Sequence, residues 1–465
     1  MNRYDGPGTA QANPVREEMI EPLQGDNPLH GGRCGSVLSW KEFQMKRVLS
    51  LGISALAVAA LAAGWTMAGQ AAETKGPVTD ELGVVEIPKD APITIGGYWV
   101  ISGPDTALGV DSKRGAEIAF DEINNTIAGH PIQMVVEDDS CNAEGGQTAA
   151  TKLSTVPNIV AVLGPACSSA ATAAAPILWK AGIVDIGTAT TAPSLTAPDR
   201  KPEYFGYMRT IYSDADQGFN DAEYFYKQLK CKTLATVHDG SPYASQLAKA
   251  AANHFKELGG KVVAEEAVTP TDVDMRPMLT GIATKKPGVF YLPIFVASTA
   301  QIIRQAPEIQ GLKGTHVIGG SAVMAPGLLE AAGDAAKDFV ITNVDISPEA
   351  MGKRYPQFVE KYKAKYGEGP INAFHAQAYD AAAILAKAIE KVGKTDDQGN
   401  LYIGRKALRD ELFSTKGYEG ISGPINCNEH GQCGGFNFAV YQFTDGDPST
   451  FEAGKNPKKI YPPAK

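Results

Sequence analysis

The feature that most limits the fold is an alternation of short apolar runs with helical patterns, which begins near Ile93 and restarts after Asp214. In the first set, 93–96, 132–136, 159–163 and 183–186 read as strands. Between them lie a helix whose Ala116, Ala119, Phe120, Ile123 and Ile127 share one face and an alanine-rich helix over 168–180. In the second set, 214–229 and 245–258 read as helices, and 233–237, 262–263, 289–292, 317–318 and 339–341 as strands. Runs of this length between amphipathic helices predict βαβ units and parallel sheets. Two such sets predict an α/β protein of two doubly wound parallel-sheet lobes, not one wide sheet, which suits a chain of 465 residues. A long helix over 373–392 and a hairpin signal over 423–443 follow, and they must pack back onto a lobe. The expected division is 91–213 with 345–436 for lobe 1, and 214–344 with 437–465 for lobe 2.

The amino-terminal region says where such a chain works. Met45-Lys46-Arg47 is positive, 48–63 is almost wholly apolar, and small residues surround Ala71-Ala72. That order defines a secretory signal peptide over 45–71, and its apolar run falls short of the roughly 20 residues that span a bilayer. Residues 1–44 are polar and without period; they read as a start assigned too early or as a disordered extension. Residues 72–90, rich in Pro, Gly and charge, read as a flexible lead. Export places the mature chain in the periplasm, where disulfides persist. Cys427 and Cys433 flank a turn-like stretch and suit a hairpin staple. Cys141 and Cys167 then pair across a loop of about 25 residues, worth roughly 3 kcal/mol, and Cys231 is left free. Zinc is the rival reading, but Cys141 and Cys167 lack close Cys or His companions. The net charge of -9 argues against a nucleic-acid partner.

In open α/β sheets, ligands bind at the carboxyl ends of strands, where loops and helix starts present free N–H groups. Two loops stand out there: Gly164-Pro165-Ala166-Cys167-Ser168-Ser169 and Thr188-Ala189-Thr190-Thr191-Ala192-Pro193. Their hydroxyls and N–H groups suit a carboxylate; equally, Ser168 and Ser169 suit plain helix capping. Cys167 or Ser168 at a strand-to-helix turn also fits a hydrolase nucleophile, yet no histidine stands in a recognisable triad motif. The acidic cluster Glu137-Asp138-Asp139 has no histidine at ligand spacing, and no phosphate-binding P-loop occurs. No catalytic residue, metal or cofactor is expected.

These loops, together with Gly103-Pro104, Asp138-Asp139-Ser140-Cys141, Asp214-Ala215-Asp216-Gln217-Gly218, His238-Asp239 with Tyr243, Ile303-Arg304-Gln305-Ala306 and the Gly423-Pro424 segment, are colinear over the mature chain. In these the chain resembles the branched-chain amino-acid-binding family of ABC-transporter periplasmic proteins, with the type I binding-protein fold. The resemblance implies two lobes joined by a three-segment hinge and closing on a ligand, and a Cys141–Cys167 disulfide. It also implies a ligand carboxylate held by Ser168, Ala189 and Thr191, with Tyr243 and Phe295 as walls and Asp214 at the first crossing. It implies a monomeric carrier that captures a small amino acid or related carboxylate or amide and delivers it to an inner-membrane permease; a ligand-sensing periplasmic co-receptor is the alternative. Two positions depart from the family. Ser321 stands where members that bind α-amino acids carry an acid for the ligand ammonium, and Leu108 replaces a tyrosine. A buried ammonium without a partner costs several kcal/mol, so the ligand is expected to lack one.

Overall fold

The computed structural model describes residues 72–463; the signal segment 45–71 and the extension 1–44 lie outside them. The stretch 72–90 is not a loose lead. Strands β1 (Glu73–Lys75) and β2 (Val78–Asp80) form a small antiparallel ribbon. Strand β3 (Val84–Ile87) later finds a partner more than 300 residues on, and buries Val84, Val85 and Ile87. Its composition reads as flexible because that partner is invisible locally.

Lobe 1 is built from β4 (Ile93–Trp99), α1 (Thr106–Asp121), β5 (Thr126–Ile127), β6 (His130–Asp138), α2 (Ala143–Ser154), β7 (Ile159–Leu163), α3 (Ser168–Lys180), β8 (Val184–Gly187) and β9 (Tyr207–Arg209). The sheet order is β5-β6-β4-β7-β8-β9, parallel except for β5. All residues of β4 and β7 are buried, as a parallel sheet covered on both faces requires. Helix α1 stops at Asp121, short of the expected Ile123 and Ile127. Asn124 and Asn125 take φ of 54° and 49°, and such left-handed residues end a helix, so Ile127 joins β5.

Lobe 2 runs through α4 (Asp214–Glu223), continued by a wide turn at Tyr224–Gln228, then β10 (Thr233–His238), α5 (Pro242–Glu257), β11 (Lys261–Ala267), α6 (Arg276–Lys285), β12 (Val289–Leu292), α7 (Val296–Gln305), β13 (His316–Gly319), α8 (Pro326–Ala332) and β14 (Val340–Val344). The chain then returns to lobe 1 with α9 (Tyr355–Tyr366) and α10 (His375–Val392). At Gly115 of α1 an added Cβ would sit 2.1 Å from the His375 carbonyl oxygen, so glycine is what lets the start of α10 approach α1. Next come β15 (Lys394–Thr395), β16 (Leu401–Gly404), which pairs with β3, and α11 (Arg405–Phe413). Asp80 accepts from the first-turn N–H groups of Lys406 and Ala407, both at 3.0 Å, and so fastens the lead to α11.

The expected hairpin over 423–443 is two separate features. β17 (Tyr418–Glu419) pairs with β18 (Pro424–Ile425), whereas β19 (Phe438–Gln442) crosses to lobe 2 and lies antiparallel between β14 and β20 (Lys458–Tyr461). The Cys427–Cys433 disulfide closes its own loop between them. The lobe 2 sheet is thus β11-β10-β12-β13-β14-β19-β20. The chain passes between the sheets three times: after β9, after β14 and before β19.

Candidate functional site

The loops after β7 and β8 meet at the carboxyl edge of the lobe 1 sheet. Gly164 has φ of +108°, and a Cβ there would meet the Tyr98 carbonyl oxygen at 2.2 Å, so only glycine makes this turn. The extended backbone of Cys167 caps α3, with no side-chain capping bond. Ser168 is therefore not the cap. Its Oγ accepts from the Ala192 N–H at 3.2 Å, which joins the two loops and leaves the hydroxyl proton free to donate. Trp99 Nε1 donates to Thr188 Oγ1 at 3.1 Å, and the Thr191 carbonyl accepts from the Asp214 N–H at 2.9 Å.

The opposing wall comes from lobe 2. Ser241 caps α5 by accepting from the Ala244 N–H, which fixes Tyr243 in the first turn. The Tyr243 hydroxyl lies 3.3 Å from Ser321 Oγ and accepts from the Ala322 N–H at 3.3 Å. The Phe295 ring stands 5.3 Å from that of Tyr243, centroid to centroid. Burial pushes the Tyr243 phenol up, and the Asp214 carboxylate adds to the shift. It is therefore a neutral donor and acceptor at physiological pH.

Ser168, Ala189 and Thr191 from one lobe, and Tyr243, Phe295 and Ser321 from the other, line one cavity, with Leu108 of α1 completing it. The space between them is small, about 20 Å³ for the centre of a water molecule, so the lobes stand together over it. Ala166 and Cys167 of the first loop also line it, as do Ala322 and Phe374, which were not singled out from the sequence. Phe374 arrives from the return passage just before α10, and nothing local in its sequence marks it. Asp214 does not line the cavity. It begins α4 behind Thr191, is fully buried, and neither carboxylate oxygen makes a well-formed hydrogen bond. Burial pushes its carboxyl up to about 7, against the pull of Thr191 and Arg209. The cavity lining therefore contains hydroxyls, N–H groups and apolar walls, and no carboxylate.

Both cysteine pairs form disulfides, Cys141–Cys167 and Cys427–Cys433, and among the described residues Cys231 is free. Cys167 is thereby removed as a thiolate nucleophile. Among the described residues no group of three or more His, Cys, Asp and Glu side chains could hold a metal.

Two parallel-sheet lobes, linked by three passages and meeting on a hydroxyl-lined cavity, define a two-lobed solute-binding protein. The chain belongs to the periplasmic binding protein family, whose family model matches residues 92–447. It is 29% identical over 353 residues to the Leu/Ile/Val-binding protein of Escherichia coli strain K12, covering 76% of this chain and 90% of that one. Among solved structures, it is similar to a leucine-binding protein of Thermotoga maritima, with a TM-score of 0.68 and 27% identity over 76% of this chain and 96% of that one. It is also similar to the branched-chain amino acid transporter substrate-binding protein of Streptococcus pneumoniae in complex with isoleucine. That likeness has a TM-score of 0.65 and 25% identity, and covers 77% of this chain and 97% of that one.

Proposed function

We propose that the chain is exported behind the 45–71 signal segment and captures a small carboxylate between its lobes in the periplasm. It then hands this ligand, as a monomer, to an ABC permease in the inner membrane. Ser168 and Thr191 hold the carboxylate with loop N–H groups, and Tyr243, Phe295 and Leu108 enclose an aliphatic or aromatic body. The observation that carries this reading is the convergence of these side chains from both lobes on one cavity whose lining includes no acid. A free ammonium would need a partner there, and Ser321 supplies only a hydroxyl already engaged with Tyr243. The ligand class is accordingly a carboxylate without an ammonium.

Calorimetric titration with leucine, 4-methylpentanoate and benzoate tests the ligand class. Binding of one or both acids, with none of leucine, is the expected outcome; micromolar binding of leucine alone would overturn it. Alanine at Ser168 or Thr191 is expected to weaken the acid by about 1–3 kcal/mol, because each leaves a buried ligand oxygen unpaired. Unchanged affinity in both variants would place the carboxylate elsewhere. One observation favours a second reading, capture of an amino acid: the buried, poorly partnered Asp214 carboxylate behind Thr191. On that reading leucine binds and Asp214→Asn abolishes its binding.

A further inference from the structure

The carboxylate-facing loop is held from behind by a buried guanidinium. Arg209, at the end of β9, is fully buried. Its Nη1 donates to the carbonyls of Thr190 and Ala192 at 3.1 and 2.8 Å, and its Nη2 to Thr196 Oγ1 at 2.7 Å. With the Thr191 carbonyl taken by the Asp214 N–H, all three loop carbonyls are turned away from the cavity. The Ala192 N–H is spent on Ser168 Oγ, and Thr191 lines the cavity at the centre of the loop so fixed. Among the described residues no carboxylate hydrogen-bonds Arg209, although Asp214 and Asp216 act on it electrostatically, and its guanidinium stands directly behind the loop.

Arg209 is itself clamped by a residue 223 positions later. Gln432 Oε1 accepts from Arg209 Nε at 2.6 Å and from Thr196 Oγ1 at 3.2 Å. Gln432 Nε2 donates to the Ile211 and Gly434 carbonyls at 2.8 and 3.0 Å, so every polar group of the amide is in use. Gln432 lies inside the loop closed by Cys427–Cys433. That loop is bonded to β9 through Arg209 N–H to the Gly431 carbonyl and Cys433 N–H to the Arg209 carbonyl, at 2.9 and 3.1 Å.

We propose that Gln432, fixed within the Cys427–Cys433 loop, locks Arg209 against the Thr190 and Ala192 carbonyls, and that this relay sets the site's preference for a carboxylate over a neutral group. Gln432 and Arg209 are positioning residues: they shape the loop and its potential without lining the cavity. The idea rests on the reading of the site as a carboxylate site for its consequence, not for the relay itself. A guanidinium forks across two carbonyls in a fixed plane, so losing its clamp frees both. Its charge acts at close range in a medium that screens it weakly.

Two measurements on Gln432→Ala and on the Cys427→Ser/Cys433→Ser double variant decide the matter. Hydrogen exchange on the ligand-free protein is expected to speed up about tenfold or more in peptides covering 188–196, with β4 peptides unchanged. Unchanged exchange over 188–196 in Gln432→Ala overturns the relay, and this variant decides should the double variant fail to fold. The second measurement compares leucine with leucinamide and benzoate with benzamide. The variants are expected to lose about tenfold in affinity for whichever carboxylate the native protein binds, while the amide is unmoved. Equal loss for acid and amide would show a merely structural role and overturn the specificity claim. If the native protein binds none of these probes, the proposed ligand class fails, and the exchange measurement still tests the relay.

Discussion

The thermal stability of the protein is expected to fall as pH rises from 5 to about 7.5, and Asp214→Asn to flatten part of that fall. Asp139, Asp214 and Asp221 are fully buried, and each has its carboxyl pushed up to about 7, chiefly by burial. Their hydrogen bonds do not offset this. Asp139 receives the Cys141 N–H at 2.8 Å and Asp221 the Tyr291 hydroxyl, but one oxygen of each is unpartnered, as are both of Asp214. In the unfolded chain each titrates near 3.9. A folded-state pKa above the unfolded one means that the native protein holds protons the unfolded chain has released. That stability is fully present below the unfolded pKa and is lost as pH rises towards 7. The loss for Asp214 is on the order of 2–4 kcal/mol, and the Asp214 charge adds to the upward shift of Asp221. Acids with lowered pKa, such as Asp138, act in the opposite direction and below this window. At pH 8 the Asp214→Asn protein is therefore expected to melt above the native one, and at pH 5 to melt level with it or below. Calorimetric scans across pH 5–8 would falsify this by showing the same gap between the two proteins throughout.

Serine at both Cys141 and Cys167 is expected to cost about 3.5 kcal/mol, and the same change at Cys427 and Cys433 about 2 kcal/mol, from the loops the two bridges close. The sequence separations are 26 and 6, so the ordering follows from chain entropy alone. The first bridge carries more than entropy. Ser140 and Cys141 are held at φ of 47° and 56°, and Cys167 both caps α3 and lines the cavity. Its loss should let the turn at Ser140 relax and blur the start of α3, so ligand affinity falls together with stability. Urea unfolding of the two double variants measures the first effect and titration the second. A cost under about 1 kcal/mol for the longer loop, or a larger cost for the shorter one, would show that strain in the native state sets the balance.

The elements legible in the sequence were those whose burial is local and complete. The strand over 289–292 and the helix over 168–180 have the expected bounds, because an unbroken apolar run between turns and an alanine-rich face each carry their own signal. Elements completed by distant partners were misread: β3 depends on β16, and β19 on β14. The end of α1 was hidden because hydrophobic spacing continues past the asparagines that break it. At the site, the hydroxyl loops were visible as strand-to-helix turns, and Tyr243, Phe295 and Ser321 through resemblance. Arg209 and Gln432 were not, since neither touches the cavity and their pairing spans 223 positions.

The order in which the two sheets are completed bears on how the chain is made. Lobe 2 has β10 to β14 in hand by Val344, yet the flank of β14 stays open until Phe438–Gln442 arrives, and β20 comes later still. Neither lobe is continuous in sequence: the lobe 1 sheet is in hand by Arg209, but α9 to α11 come only after Val344, so an emerging chain finishes neither half early. A polypeptide that finishes folding only when nearly all of it is available stays threadable for longer. That property suits the proposed export, in which the chain passes a narrow translocation pore before the final strands lock.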